Sequence, residues 1–168
     1  MDGSNSRRRC RDEGGAAAVE FALVAPLLIF LLFAIIAYGY MLSFRQALSQ
    51  AAAEGARAAS VAPPSLPDTP PAPGDDSRAT RAIEAVNQGL GSYGVSCTTT
   101  GQLLHASQPA GNCAISAPQP CAGSTTGADC VKVTLTYTYK DDSLLPTFPG
   151  LGVLLPEQMT YTTEAEVS

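Results

Sequence analysis

The sequence predicts an α+β fold: one long amino-terminal helix that crosses a membrane, then a small extracytoplasmic domain with a short helix and an antiparallel β-sheet. Three observations predict it. From Ala16 to Tyr40 the chain runs for 25 residues with a single charged side chain, Glu20; at about 1.5 Å per residue this crosses a roughly 30 Å hydrocarbon core. Val131, Val133, Leu135, Tyr137 and Tyr139 alternate with Lys132, Thr134, Thr136, Thr138 and Lys140, the period-two pattern of a sheet with one buried face. Cys97, Cys113, Cys121 and Cys130 place an even number of cysteines in a loop-rich carboxy-terminal region, as in small exported domains held by disulfides.

The amino-terminal edge of the span sets its direction. Arg7, Arg8, Arg9 and Arg11 precede it closely, whereas Arg45 is the one nearby cation on the other side and Arg57 lies further off. The positive side stays cytoplasmic and the rest faces outward. Cys10 then stands alone on the cytoplasmic side, away from the other four cysteines. A secretory signal peptide has an apolar core of about 7 to 15 residues followed by a small-residue cleavage site. Here the apolar run is longer, and the small residues Gly14 and Gly15 come before it.

That order matches type IV prepilin-like leaders, in which a peptidase cuts after the glycine on the cytoplasmic side and leaves the apolar helix on the mature protein. Gly15, Ala16, Glu20, Phe21, Pro26 and the Leu/Ile/Phe run that follows resemble the TadE family of pilin-like proteins from tight-adherence (Tad/Flp) pilus systems. The resemblance continues through Tyr38-Gly39 and Arg45-Gln46-Ala47 into the alanine-rich stretch 51–59, and covers roughly the first third of the chain. Related major pilins carry Glu-Tyr where this chain has Glu20-Phe21. The resemblance implies that residues 1–15 are a cytoplasmic leader, that a prepilin peptidase cuts between Gly15 and Ala16, and that Glu20 and Phe21 act in assembly. It also implies partners: the membrane, other Tad pilins or pseudopilins, and the inner-membrane assembly platform. A carboxylate at the centre of a membrane helix costs about 2.5 to 3.5 kcal/mol, and less near an end. A cut at Gly15 would create an α-amino group on Ala16 one helical turn from Glu20, able to neutralise it. The alternative is that Glu20 reaches the cytoplasmic headgroups.

Along the chain, residues 1–13 are polar and basic without periodicity, the pattern of a leader lacking regular structure. Residues 16–40 form the transmembrane helix. Pro26 removes one backbone bond to the Ala22 carbonyl, and either kinks the helix at a packing contact or is simply tolerated. Tyr38 and Tyr40 suit the outer interface. Residues 41–60 extend the helix beyond the membrane: Phe44, Ala47, Leu48, Ala51, Ala52, Gly55, Ala58 and Ala59 recur at helical spacing. One helix from Ala16 to Ser60 would span about 65 Å. Its narrow small-residue stripe packs on the chain's own domain, on other helices, or on both. Residues 61–76 contain six prolines and read as a linker.

The domain then occupies residues 77–168. Asp76 or Ser77 caps a helix from Arg78 to about Gln88, with Ala79, Ala82, Ile83 and Val86 on the face that covers a sheet and Gly89 as its stop. Short strands are expected at 94–100 and 112–116. The strand at 131–140 pairs antiparallel with a second alternation, Met159, Tyr161, Thr163, Ala165 and Val167. Between them, residues 141–157 hold apolar residues among turn formers; they fold back over the sheet or form an exposed apolar surface. The four outer cysteines make two disulfides in one of three pairings.

The chemistry is sparse. Cysteine gaps without a Cys-x-x-Cys, and one histidine, His105, argue against a metal site. The acid pairs Asp75/Asp76 and Asp141/Asp142 lie in polar turns as solvated carboxylates. No nucleophile elbow or phosphate-binding glycine loop is present, so neither an enzyme nor a cofactor is expected. The whole chain carries a net charge of −5. Loss of residues 1–15 would leave 6 basic and 12 acidic residues, about −6, with no basic patch for nucleic acid. The sequence therefore reads as a TadE-like minor pilin or pseudopilin, with a pilin-like stalk, that takes part in pilus assembly, secretion or adhesion by helix packing. The alternative is a signal-anchored extracytoplasmic binding domain that never enters a filament.

Overall fold

A computed structural model describes residues 6–63, 77–123, 127–140, 144 and 156–167, with side chains from residue 15 onward. The chain divides into two compact units, Met1–Met41 and Leu42–Ser168. Helix α1 runs over Ser6–Val61 with Pro26 inside it. It begins ten residues before the expected Ala16. The added segment is rich in arginine, a good helix former, and contains no proline, and each further residue of a nucleated helix gains a backbone bond.

In the first unit, the large apolar side chains from Val19 to Tyr38 are exposed. The helix from Gly15 onward is long and apolar enough to cross a membrane.

In the second unit, the α1 positions Phe44, Leu48, Ala51, Ala52, Ala56 and Ala59 are buried. Helix α2, Ser77–Leu90, buries Arg78, Ala82, Val86 and Leu90. A short 3₁₀ turn, Gly91–Tyr93, follows and closes at Gly94 in the left-handed region, φ 70°. The expected stop at Gly89 is therefore moved to Gly94. Leu90 is fully buried and holds the last turn, while Gly89 serves packing: a Cβ there would lie 3.0 Å from the Ala51 Cβ of α1. Gly55 does the same on α1, where a Cβ would meet Val86 at 2.8 Å and Val133 at 3.6 Å. The small-residue stripe is thus the contact between α1, α2 and the sheet.

Among the described residues, six antiparallel strands form that sheet: β1 Val95–Cys97, β2 Gln102–His105, β3 Gln108–Ile115, β4 Gln119–Pro120, β5 Asp129–Tyr137 and β6 Met159–Glu166. β3 and the short β4 line one side of β5, and β6 lines the other. As expected, Val131, Val133, Leu135, Tyr137 and Tyr139 are buried, and β5 pairs with β6 from Tyr137↔Met159 to Cys130↔Glu166. Phe44 packs on them, with ring centroids 4.8 Å from Tyr137, 5.1 Å from Tyr93 and 6.1 Å from Tyr139. With Phe44 at Tyr137 and Gly55 at Val133, α1 runs antiparallel to β5.

β2 was not expected. Gln-Leu-Leu-His has no alternation, and its turn into β3 uses Ala106 and Ser107 at φ 48° and 69°, residue types that give no left-handed turn signal. The expected strands at 94–100 and 112–116 exist as β1 and β3 with shifted ends. Gly111 lies in β3 where a Cβ would come 2.0 Å from the Thr136 carbonyl oxygen, so only glycine lets the strands approach there. The linker at 64–76, the cap at Asp76 and most of the apolar loop 141–157 lie outside the described residues. Ser77 does bear on the cap: its hydroxyl donates to the Pro63 carbonyl at 2.7 Å, fastening the start of α2 to the segment just after α1.

Candidate functional site

Gly15, Ala16, Glu20 and Phe21 all lie on α1 and are exposed, Phe21 by 71%. Ala16 and Glu20 are four residues apart and so share a helix face, one turn from each other. A Cβ placed on Gly15 would meet nothing within 4 Å, and the backbone there is not left-handed. A glycine inside a helix costs about 1 kcal/mol relative to alanine, and no packing contact among the described residues accounts for that cost here. Gly14 beside it weakens the helix a second time.

The other singled-out residues are structural. Cys97 bonds Cys113, and Cys121 bonds Cys130, which selects one of the three pairings. Cys97 is on β1 and Cys113 on β3, with β2 between them, yet their Cα atoms are 5.9 Å apart. Neighbouring strands alone are separated by about 4.8 Å, so this bridge lies where the sheet curls β1 toward β3. Cys121–Cys130 ties β5 to the end of β4.

Two polar contacts fix the helices and were not visible in the sequence. Arg78, 8% exposed, donates to the carbonyls of Ala59 at 3.2 Å and Ser60 at 3.4 Å, capping the carboxy-terminal end of α1, where a cation also meets the negative end of the helix dipole. The Asn87 side chain both donates to the Cys97 carbonyl at 3.1 Å and accepts from its N–H at 2.6 Å. It occupies the outer edge of β1 as a further strand would. At the start of the second unit, Ser43 hydrogen-bonds the Tyr93 hydroxyl at 2.6 Å, and Arg45 donates to the Tyr161 hydroxyl at 2.5 Å.

A surface cavity of about 260 Å³ lies between α2 and the turn after β1, lined in part by Ile83, Thr98, Thr99, Thr100 and Ile115. Two of its hydroxyls serve the turn itself: Thr98 bonds Thr100 at 2.8 Å and accepts from the Gln102 N–H at 3.1 Å. The lining holds no acid, base or strong nucleophile. Among the described residues, no group of three or more His, Cys, Asp or Glu side chains could hold a metal ion. The acid pairs Asp75/Asp76 and Asp141/Asp142 lie outside the described residues.

The functional weight therefore falls on α1. Residues 15–57 match the family model described as TadE-like protein. This segment is similar to TadE-like proteins. The match opens at Gly15 and ends at Arg57, inside α1, and covers about a quarter of the chain. TadE-like proteins are pilus-associated structural proteins, and the match supports a place for this chain in a Tad pilus system. No curated protein and no solved structure matches the chain.

Proposed function

We propose that this chain is a minor pilin or pseudopilin of a Tad/Flp pilus system, held in the cytoplasmic membrane and taking part in pilus assembly, secretion or adhesion. The observation that carries the reading is the TadE-like match over residues 15–57, which coincides with the apolar, exposed part of α1 and its outer continuation. Residues 1–15 are the leader, and a prepilin peptidase cuts between Gly15 and Ala16. The Gly14–Gly15 pair makes it inexpensive to unwind α1 around the scissile bond, since each glycine weakens the helix by about 1 kcal/mol. The arginines keep the amino terminus cytoplasmic, so residues 16–40 span the membrane, 41–60 continue the helix outside it, 61–76 form the linker, and the domain from residue 77 is extracytoplasmic. There the disulfides persist in an oxidising compartment.

Assembly rests on helix packing. The exposed apolar side chains exchange lipid for neighbouring helices, where close packing and paired polar groups supply the affinity. Glu20 sets the register by meeting the α-amino group of a cleaved Ala16, its own or a neighbour's, and Phe21 packs beside it. The prepilin peptidase, other pilins or pseudopilins and the inner-membrane platform are the partners. A domain of this size beside the helix suits a minor component better than a short, nearly all-helical major pilin.

Amino-terminal sequencing and intact mass of the membrane-extracted chain, with and without the peptidase, test the processing step. A chain beginning at Ala16 only when the peptidase is present is the expected result. An intact leader under both conditions would leave a signal-anchored binding domain in its place. Glu20→Ala should insert normally and lower pilus number; normal pilus number in that variant would remove the role given to Glu20.

A further inference from the structure

The outer half of α1 has a second face. Phe44, Leu48, Ala52, Gly55 and Ala59 are buried against the rest of their unit. On the opposite side Gln46, Gln50, Ala53 and Arg57 recur every three or four residues and are all exposed, a continuous stripe along the helix. Arg57 stands near the middle of the stripe, and the exposed Glu54 stands on one flank. Among the described residues neither charge makes an ion pair, although they are three residues apart. The whole stripe falls inside the segment that matches the TadE-like model, which ends at Arg57. Exposed charges on a helix are ordinarily solvated, so the deciding question is whether the stripe complements itself.

Copies that share one membrane and one orientation can bring these stripes together only side by side and parallel. With no axial shift, each Arg57 meets the Arg57 of its neighbour, and like charges repel. A shift of four residues, one turn of helix and about 6 Å, removes that conflict. Arg57 of one copy then comes level with Ala53 of the next and within one residue of its Glu54, Gln50 faces Gln46, and Ala53 faces Ser49. Opposite charges meet, the amides can exchange hydrogen bonds, and the small residues let the two backbones approach. Counted along α1, four residues is also the spacing from Ala16 to Glu20, so a single shift serves both ends of the helix. Resting on the pilin reading, we propose that the stripe over residues 46–57 is an interface with a second copy of the chain, parallel and shifted by one turn, with an ion pair from Arg57 of one copy to Glu54 of the next. Such a contact is heterologous: each chain offers Arg57 to one neighbour and Glu54 to another. It therefore propagates along a filament and does not close as a dimer.

The test uses the full chain in its native membrane, with Cys10→Ser to remove the one cysteine outside the two disulfides. Differently tagged chains carry Gln46→Cys or Gln50→Cys, both at exposed positions. On mild oxidation the mixed pair should form a disulfide several-fold more than either variant with itself, because the shift aligns 46 with 50 and separates like positions by about 6 Å along the axis. Arg57→Glu should lower the mixed yield several-fold, and Glu54→Arg/Arg57→Glu should restore it, with the stability of the carboxy-terminal unit unchanged in both. A membrane-impermeant thiol reagent should label Gln50→Cys in detergent-dispersed single chains and spare it in assembled ones. Equal linkage at like positions, linkage only to a different protein, a yield indifferent to Arg57→Glu, no rescue by the double variant, or protection of Gln50→Cys already in single chains would each overturn the proposal. The amino terminus, read on the same samples, separates the two ways of failing. A chain that begins at Ala16 and enters pili without the mixed disulfide removes this interface alone, whereas an intact leader and no pili removes the pilin reading and the interface with it.

Discussion

Helix α1 presents two kinds of surface along one sequence. From Val19 to Tyr38 its large apolar side chains stand exposed, Leu23 by 75% and Leu27 by 69%. From Phe44 to Ala59 its buried positions are mostly alanine, with Phe44 and Leu48 as the only large ones. The more apolar half is the more exposed, so hydropathy alone does not report burial inside the chain. The first half has the length and composition for lipid or for neighbouring helices. The second half is held by close approach, with Gly55 against Val86 and Gly89 against Ala51. The TadE-like match covers both halves, which means that the family segment includes a surface committed to the chain's own domain.

The sharpest way to break this comparison is to truncate one phenylalanine in each half. Phe44→Ala removes the ring that Tyr93, Tyr137 and Tyr139 surround, and should lower the stability of the carboxy-terminal unit by about 3–5 kcal/mol. Phe30→Ala, at a position 51% exposed, should change it by less than about 0.5 kcal/mol. Denaturant titration in mild detergent, followed by tyrosine near-UV circular dichroism, compares them. Equal losses would show that the two halves do not differ as described. Next in size come the disulfides, which stiffen the wall that the second half packs against. From loop separations of 16 and 9 residues, loop-closure entropy gives about 3 kcal/mol for Cys97→Ala/Cys113→Ala and about 2.5 kcal/mol for Cys121→Ala/Cys130→Ala. The same titration should rank them in that order.

What was legible in the sequence followed from periodicity. The long apolar run, the strict alternation from Val131 to Tyr139 and the alternation at Met159 each produced the element expected, because one repeated pattern outweighs local ambiguity over eight or more residues. The short elements were not legible. β2 is four residues bounded by an Ala106–Ser107 turn whose left-handed backbone is imposed by the strands on either side. Gly89 read as a helix stop, but α1 needs it for contact, a tertiary reason invisible in a local window. At the candidate site, Gly15, Ala16, Glu20 and Phe21 were found by order relative to the arginines and the span. Arg78 and Asn87 could not be, since each acts on a backbone group ten or more residues away, and nothing in the residue type distinguishes a capping arginine from a solvated one such as Arg81.

Arg78 sharpens the comparison at the far end of the helix. Arg78→Met keeps the apolar stem and removes the bonds to the Ala59 and Ser60 carbonyls, and should cost about 1–3 kcal/mol. Arg81→Met, exposed on the same helix, should cost less than about 0.5 kcal/mol. If both variants behave alike in the titration, the end of α1 is held by its apolar packing and not by the cap.

The smallest effect belongs to the sheet face turned away from the helix. Lys132 and Glu164 pair at 2.8 Å across β5 and β6, and the hydrogen bond from Lys132, with its charge and a backbone hydrogen bond from Ala122, holds the Glu164 carboxyl below the usual glutamate range against the opposing effect of desolvation. A carboxyl whose folded value is depressed adds stability above its unfolded value and loses it as pH falls through the folded one. The contribution is therefore complete at neutral pH and disappears only in acid, below the ordinary glutamate range. Because the pair is solvent-exposed, the expected loss is slight. Glu164→Gln should flatten the acid limb of the stability profile a little, and the difference from the parent chain should shrink further at high salt. It should leave the Phe44 cluster's circular dichroism signal unchanged at neutral pH. A large change in that signal would mean that the outer face of the sheet and the helix groove are coupled, and that the second half of α1 depends on more than the residues it touches.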